Sequence, residues 1–335
     1  MSITKKIFSA IFIVVITFLI LFIAEISVRF YNSRVKNICP EYFNLNFYPY
    51  YKISSILGLV YEMNPSIVMP DDKERGDNIF TNSLGFRDRE YSLSKPKDVF
   101  RIVGIGDSIC YGENVEFDKR FLKLIEKWLN KSSRSKNNKY EVINCAVPGY
   151  NLTQYYLDLK EKALKYNPDL VICSLWIDDL QPPYIPSFIN RSIIKRIHHY
   201  LIDHSYLWRF LFYKLFAERL YSSNLMKINL ETNLNSLDKM IKLAKNNDIK
   251  ILFILQSTLL PDYDGDDFYG EIKSILNQKD IPWIEMHPFY LKYLGKRDLG
   301  ALANAPGGSH PNIEGNKVIA RILFEYLMNS NLLID

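Results

Sequence analysis

The stretch FRIVGIGDSICYG, residues 100–112, contains an apolar run that stops at Gly106-Asp107-Ser108. A short apolar run followed at once by Gly, Asp and Ser indicates a buried strand that leads into a sharp turn. Such a turn would present the hydroxyl of Ser108 at the end of the strand. Because a serine hydroxyl is a poor nucleophile at neutral pH, it needs a base within reach and donors for the oxyanion that forms.

A candidate base lies near the other end of the chain. His310 is part of GGSHPN, residues 307–312, directly before a helical pattern that runs from Ile313 to about Met328. Loops beside regular elements commonly carry side chains that point into a cleft. The sequence therefore predicts that His310 acts as the base for Ser108.

Strand-like and helical patterns alternate from residue 100 onward. The strands are predicted at 101–106, 140–145, 170–175, 250–255 and 282–286, and the helices at 120–129, 153–166, 230–246, 267–278 and 313–328. This alternation predicts a three-layer α/β/α domain with a five-stranded parallel sheet. Ligands of such sheets bind at the carboxyl ends of the strands. Ser108, Gly149 and the pair Asp178 and Asp179 follow the first three strands and should meet there.

Composition excludes several classes of function. The chain has 335 residues, 48% of them hydrophobic, and its net charge of +5 is spread along the sequence, so nucleic acid is not expected as a partner. Cys110, Cys145 and Cys173 lie in or beside apolar runs and are expected to be buried thiols, whereas Cys39 lies in a looser segment. No cofactor or metal is expected, since the histidines at 198, 199 and 204 have no carboxylate or cysteine at ligand spacing.

The N-terminus predicts a membrane anchor. Residues 7–24 carry no charge, and about 18 such residues approach the thickness of a bilayer. We therefore expect a cytoplasmic tail at 1–6, a single pass through the lipid bilayer at 7–28, and the main domain outside the cytoplasm. A cleaved secretory signal is the less favoured alternative, because no small-x-small site follows the run.

The remaining organisation is an extension at 29–98 and a main domain at 99–335. The main domain is interrupted by an aromatic and basic insertion at about 184–226. This insertion is interpreted either as an amphipathic segment that rests on lipid headgroups or covers the cleft, or as a helical pair packed on the sheet.

Four blocks together resemble a known family. They are Gly106-Asp107-Ser108, the stretch NCAVPGYN at 144–151, the stretch WIDDL at 176–180, and His310-Pro311-Asn312. In order and spacing they are similar to the SGNH (GDSL-type) hydrolases, which have a flavodoxin-like fold. The element Asn82 to Arg87, after an apolar N-terminus, resembles the membrane-anchored extracytoplasmic branch of that family.

The resemblance implies a role for each matching residue. Ser108 would be the nucleophile, His310 the base, and the backbone N–H groups of Ser108 and Gly149 the oxyanion donors, with Asp178 at the position of a third donor. Four further residues would support the motifs: Gly106, Asp107, Asp179 and Pro311. Asp107 is expected to hold the turn, and Asp179 to cap the segment after the third strand. The implied reaction is cofactor-free hydrolysis of acyl esters, such as O-acetyl groups, on an extracytoplasmic glycan or lipid-linked substrate.

Two positions depart from the family pattern. Asp178 stands where the family has an Asn, and an ionised carboxylate accepts hydrogen bonds but cannot donate them. Gly307 and Gly308 stand where an Asp would orient His310, which leaves a backbone carbonyl, Glu285 or Asp298 as candidate partners of the ring. Two alternatives to an esterase therefore stay open: a catalytically silent binding or scaffolding domain, and an acyltransferase with the same site.

Overall fold

A computed structural model describes most of the main domain and parts of the N-terminal region. The described residues are 3–34, 51–53, 61–63, 65–66, 68–72, 77–132, 139–181, 205, 207–208, 223–260, 269–295, 297–305 and 308–333. Cys39, Gly307 and nearly all of the predicted insertion lie outside them. The chain divides into two compact units, one formed by Met1–Pro49 and Ile185–Met226 and the other by Tyr50–Tyr184 and Lys227–Asp335.

The first unit contains helix α1, Ile3–Arg34, which includes the apolar run. In the part of the chain that the structure describes, no helix combines the length and the apolar character needed to cross a membrane, so the predicted anchor at residues 7–28 is not confirmed. Near the end of α1 the carboxylate of Glu25 pairs with Arg29 Nε at 2.7 Å. The same carboxylate accepts hydrogen bonds from Ser205 Oγ at 2.6 Å and from the Leu207 N–H at 2.9 Å.

The second unit is built on a five-stranded parallel sheet, as predicted. Two short antiparallel pairs come first, β1 (Tyr51–Ile53) with β2 (Tyr61–Met63), and β3 (Val68–Asp72) with β4 (Asp77–Phe80). The strands of the large sheet are β5 (Val99–Gly106), β6 (Lys139–Asn144), β7 (Leu170–Leu175), β8 (Lys250–Leu255) and β9 (Trp283–Glu285). Their order across the sheet is β6-β5-β7-β8-β9. Strand β5 therefore has a neighbour on each side, and every residue of β7 is buried.

Helices connect these strands at nearly the predicted positions. They are α2 (Ser108–Tyr111), α3 (Phe121–Leu129), α4 (Leu152–Glu161), α5 (Ser223–Asn246), α6 (Gly270–Gln278), α7 (His287–Leu294) and α8 (Ile313–Asn329). The chain moves one way across the sheet from β5 to β6 and the other way from β6 to β9. Because such crossovers are right-handed, α3 lies on one face of the sheet and α4, α5 and α6 lie on the other.

Sequence patterns missed two features of this unit. The helix at His287–Leu294 is short and begins with a His-Pro pair, and the strands between residues 51 and 80 are three to five residues long. Neither carries enough repeats of an apolar period to be recognised. The predictions of buried thiols at Cys110, Cys145 and Cys173 are confirmed, and all three are free cysteines.

Candidate active site

Ser108 lies where β5 ends and α2 begins. The carboxylate of Asp107 caps α2 by accepting a hydrogen bond from the Ile109 N–H at 2.9 Å, which is the role predicted for it. A Cβ atom at Gly106 would lie 2.5 Å from the Cβ of Cys110 and 2.9 Å from the carbonyl oxygen of Ser174. Glycine is therefore required at 106, because the strand, the helix and β7 converge there. This crowding makes the turn sharp and brings the Ser108 hydroxyl to the strand end.

The predicted base reaches this hydroxyl. His310 Nε2 lies 2.7 Å from Ser108 Oγ, although 202 positions separate the two residues in sequence. The histidine precedes α8, whose N-cap is Asn312. Its backbone is held by a hydrogen bond from the Asn304 N–H to the His310 carbonyl at 2.9 Å. Pro311 is buried and forms a bridge with Ala303, so the loop that carries His310 is packed against the preceding segment.

The predicted oxyanion donors belong to adjacent strands. Ser108 is the first residue of α2, so its N–H precedes the hydrogen-bonding pattern of the helix and is available to a ligand. Gly149 follows β6 in a turn with φ of +74°, a conformation that favours glycine, and it is exposed. Because β6 and β5 pair directly, both N–H groups lie at the same edge of the sheet.

Asp178 and Asp179 follow β7, the other neighbour of β5. Asp179 is buried and its carboxylate accepts a hydrogen bond from the Trp176 N–H at 2.6 Å, which closes the 3₁₀ turn Ile177–Leu180 as predicted. Asp178 is half-buried, and burial raises the pKa of its carboxyl group. A raised pKa keeps the protonated form, which can donate a hydrogen bond, populated to a higher pH than in an exposed Asp.

The candidate partners of the His310 ring that sequence reasoning named lie elsewhere. Glu285 pairs with Lys273 Nζ at 3.0 Å, and Asp298 caps a 3₁₀ turn through the Ala301 N–H at 3.2 Å. The acidic group beside the ring is Glu113, whose Oε2 lies 3.3 Å from His310 Nε2. Sequence reasoning missed Glu113 because it lies in the loop after α2, and no pattern links that loop to residue 310.

Asp107 is a second acidic group near the ring. Burial raises the pKa of Asp107 to about 6, while attraction to His310 and the hydrogen bond from Ile109 oppose that rise. Ser108 Oγ lies 3.3 Å from Asp107 Oδ2, which is longer than its 2.7 Å contact with the imidazole. The Ser108 hydroxyl is therefore better placed to donate its hydrogen bond to His310 Nε2 than to Asp107.

Comparisons with known proteins find likeness only among solved structures. No family model matches the chain, and no curated protein matches it. An acetylxylan esterase, Axe2 from Geobacillus stearothermophilus, is similar with 14% identity and a TM-score of 0.47, covering 70% of this chain and 98% of that one. The structure of TesA is similar with 16% identity and a TM-score of 0.44, covering 68% of this chain and 97% of that one. The acetyl xylan esterase AlAXEase has 14% identity and a TM-score of 0.45, with 68% and 100% covered.

Two of these neighbours are esterases by their names, Axe2 and AlAXEase, but identity this low and TM-scores below 0.5 carry no argument about activity. What the chain's own geometry defines is a parallel α/β sheet with a serine and a histidine in contact at the carboxyl end of its second strand in spatial order.

Proposed function

We propose that this protein is a serine esterase that hydrolyses acyl esters through an acyl-enzyme on Ser108. The observation that carries the proposal is the 2.7 Å contact between Ser108 Oγ and His310 Nε2 at the carboxyl edge of the sheet. A hydroxyl and an imidazole within hydrogen-bond reach are the minimum for nucleophilic acyl transfer. We further propose that the substrates are O-acetyl or related esters on a glycan or lipid-linked sugar outside the cytoplasm.

The chemistry follows from the positions of these groups. Ser108 Oγ attacks the ester carbonyl carbon while its proton passes to His310 Nε2, and the carbonyl oxygen becomes an oxyanion. The N–H groups of Ser108 and Gly149 donate hydrogen bonds to that oxyanion. When the C–O bond to the alcohol breaks, the imidazolium returns its proton to the leaving oxygen. Water then repeats the sequence on the acyl-enzyme and releases the carboxylic acid.

The first prediction tests the nucleophile. Full-length protein is incubated with a serine-directed fluorophosphonate and, separately, with p-nitrophenyl acetate. We expect labelling and acetate release in the wild type and the loss of both in Ser108→Ala, because the proposed acyl-enzyme forms on the hydroxyl that this variant removes. His310→Ala should reduce release by about 10³-fold or more.

Ser257→Ala is the matched control. Ser257 Oγ also contacts a histidine, His287 Nδ1 at 3.0 Å, but this pair is buried and follows β8 rather than β5. The control should keep its labelling. Folded wild-type protein that neither labels nor releases acetate would contradict the proposal and favour a catalytically silent binding domain.

A further inference from the structure

Glu113 lies beside the proposed base, and this part of the structure deepens the proposed function on which it rests. Its Oε2 is 3.3 Å from His310 Nε2, the same ring nitrogen that lies 2.7 Å from Ser108 Oγ. The side chain of Glu113 is 19% exposed and that of His310 is 37% exposed. The pair is thus partly shielded from water, where an ion pair is stronger than at a fully exposed surface.

The backbone of Glu113 is held from two directions. The Glu113 N–H donates to the Ser108 carbonyl at 3.2 Å, directly after Gly112 ends α2 with φ of +76°. The Glu113 carbonyl accepts a hydrogen bond from Asn304 Nδ2 at 3.0 Å. Because Asn304 also donates its backbone N–H to His310, one asparagine ties the two loops that carry the acid and the base. The proximity of Glu113 and His310 is therefore a built feature of the fold.

The chain lacks the usual source of a counter-charge for the imidazolium. Gly308 stands in the segment where the family has an acid, and a Cβ there would lie 3.0 Å from the Ala305 carbonyl oxygen. Asp107 faces the ring but is engaged in capping α2. Among the described residues, Glu113 is the acidic residue whose carboxylate oxygen lies within ion-pair distance of Nε2.

We propose that Glu113 is the charge partner of His310 and stabilises the imidazolium that forms when Ser108 loses its proton. The contact differs from that of an ordinary triad acid, which receives the Nδ1–H of the imidazole and selects its tautomer. A carboxylate near Nε2 stabilises the protonated ring that forms in the transition state, through the attraction between opposite charges.

The test uses a readout that a merely structural role would not produce. In Glu113→Gln the imidazolium is less stabilised, so we expect kcat for p-nitrophenyl acetate to fall about 10-fold while KM stays within about 2-fold of wild type. Glu113→Asp keeps the charge and should retain most of the wild-type kcat. Glu116→Gln, an exposed acid in the same loop, is the matched control and should change nothing.

The outcomes separate this inference from the proposed function. An unchanged kcat in Glu113→Gln would overturn the role of Glu113, as would an equal loss of kcat in Glu113→Asp. If the wild type shows no Ser108-dependent reaction, the contact is tested without turnover from the ¹⁵N resonances of the His310 ring, assigned with His310→Asn. We then expect the Nε2 resonance to shift in Glu113→Gln and to stay in place in Glu116→Gln, and an unshifted Nε2 resonance in Glu113→Gln would overturn the inference.

Discussion

Asp178 is the residue whose chemistry is least suited to an oxyanion site. It follows β7, which lies beside the strand that leads to Ser108, and when ionised it offers only acceptors to a developing negative charge. The raised pKa that burial produces in this carboxyl group moderates the conflict, because the protonated form donates a hydrogen bond. The site is therefore expected to work better when Asp178 carries its proton.

Replacing Asp178 with Asn tests this at the residue scale. The amide donates at every pH, so we expect Asp178→Asn to raise kcat about 10-fold at pH 8, with a smaller gain at pH 5, where the wild-type carboxyl group is protonated more often. Rates of p-nitrophenyl acetate hydrolysis across this range measure the effect. Asp118→Asn, an exposed acid in a 3₁₀ turn, controls for the change in net charge. An unchanged or lower rate at pH 8 would show that residue 178 does not face the oxyanion.

At the scale of single elements, helix α4 has a capping box that the sequence indicates and a buried carboxylate that the sequence does not reveal. Asn151 and Gln154 form a capping box, with each side chain accepting the other residue's backbone N–H at 3.1 Å. On the buried side of the same helix, neither carboxylate oxygen of Asp158 receives a hydrogen bond from any residue that the structure describes. Lys162 Nζ lies 3.9 Å from Asp158 and 3.7 Å from Glu62 on strand β2. A helical pattern in the sequence does not show which of its polar residues will be buried.

Burial raises the pKa of Asp158 to about 7, with attraction to Lys162 acting against the rise. A carboxyl group whose folded-state pKa lies above its unfolded value favours folding when protonated, and that stability is lost as the pH rises through about 7. Asp158→Asn removes the charge, so we expect the variant to exceed wild type in unfolding free energy at pH 8, by on the order of 2 kcal/mol. The difference should approach zero at pH 4.

Urea unfolding at the two pH values measures this prediction. Asp238→Asn serves as a control of opposite sign, because hydrogen bonds from Lys242 and Lys279 lower the pKa of Asp238. The contacts of Asp238 with these two lysines stabilise the fold above the unfolded pKa of Asp, and this stabilisation is lost as the pH falls. Asp238→Asn should therefore have a lower unfolding free energy than wild type at pH 8. The prediction would be contradicted if wild type were as stable as Asp158→Asn, or more stable, at pH 8.

At the scale of the whole molecule, a buried ion pair attaches the segment before the sheet to the domain. Asp88 is fully buried and accepts hydrogen bonds from Lys123 Nζ at 2.6 Å and from the Asn144 N–H at 2.7 Å. Lys123 lies on α3 and Asn144 ends β6, so one carboxylate joins three separate elements. The neighbouring Arg87 donates to the Gly112 carbonyl at 3.3 Å, at the end of α2, the helix that begins with Ser108. The segment thus supports the site as well as the fold.

Removing the charge of Asp88 alone should lower the unfolding free energy more than replacing both Asp88 and Lys123 with apolar residues. Asp88→Ala removes the close carboxylate of the buried Lys123 ammonium and leaves Glu126 Oε2, at 3.6 Å, as a more distant partner, so we expect unfolding free energy to fall by about 3 kcal/mol. Asp88→Leu combined with Lys123→Met should recover part of that loss, because neither charge of the pair then stays buried, while the Asn144 N–H still loses its acceptor. Lys160→Ala, from an exposed pair with Glu161, should cost less than about 1 kcal/mol. A single variant as stable as wild type would show that the segment is not attached by this pair.

The sequence by itself determined the alternation of strands and helices, and it singled out Ser108 and His310, the two residues that the structure brings into contact. Apolar period and turn residues are local properties, so the strands at Leu170–Leu175 and Lys250–Leu255 were predicted to the residue. The strand order β6-β5-β7 was not predicted, because the pairing of parallel strands depends on crossovers that no local pattern encodes.

Only the tertiary structure decided which side chains surround the reacting atoms. Ser108 and His310 are 202 positions apart and meet at 2.7 Å because their loops flank one strand end. Glu113 reaches the same ring nitrogen from a loop with no recognisable motif, where sequence reasoning had named Glu285 and Asp298. The physical reason is that hydrogen-bond contacts act over about 3 Å, and folding brings residues to that range with no regard to their spacing along the chain.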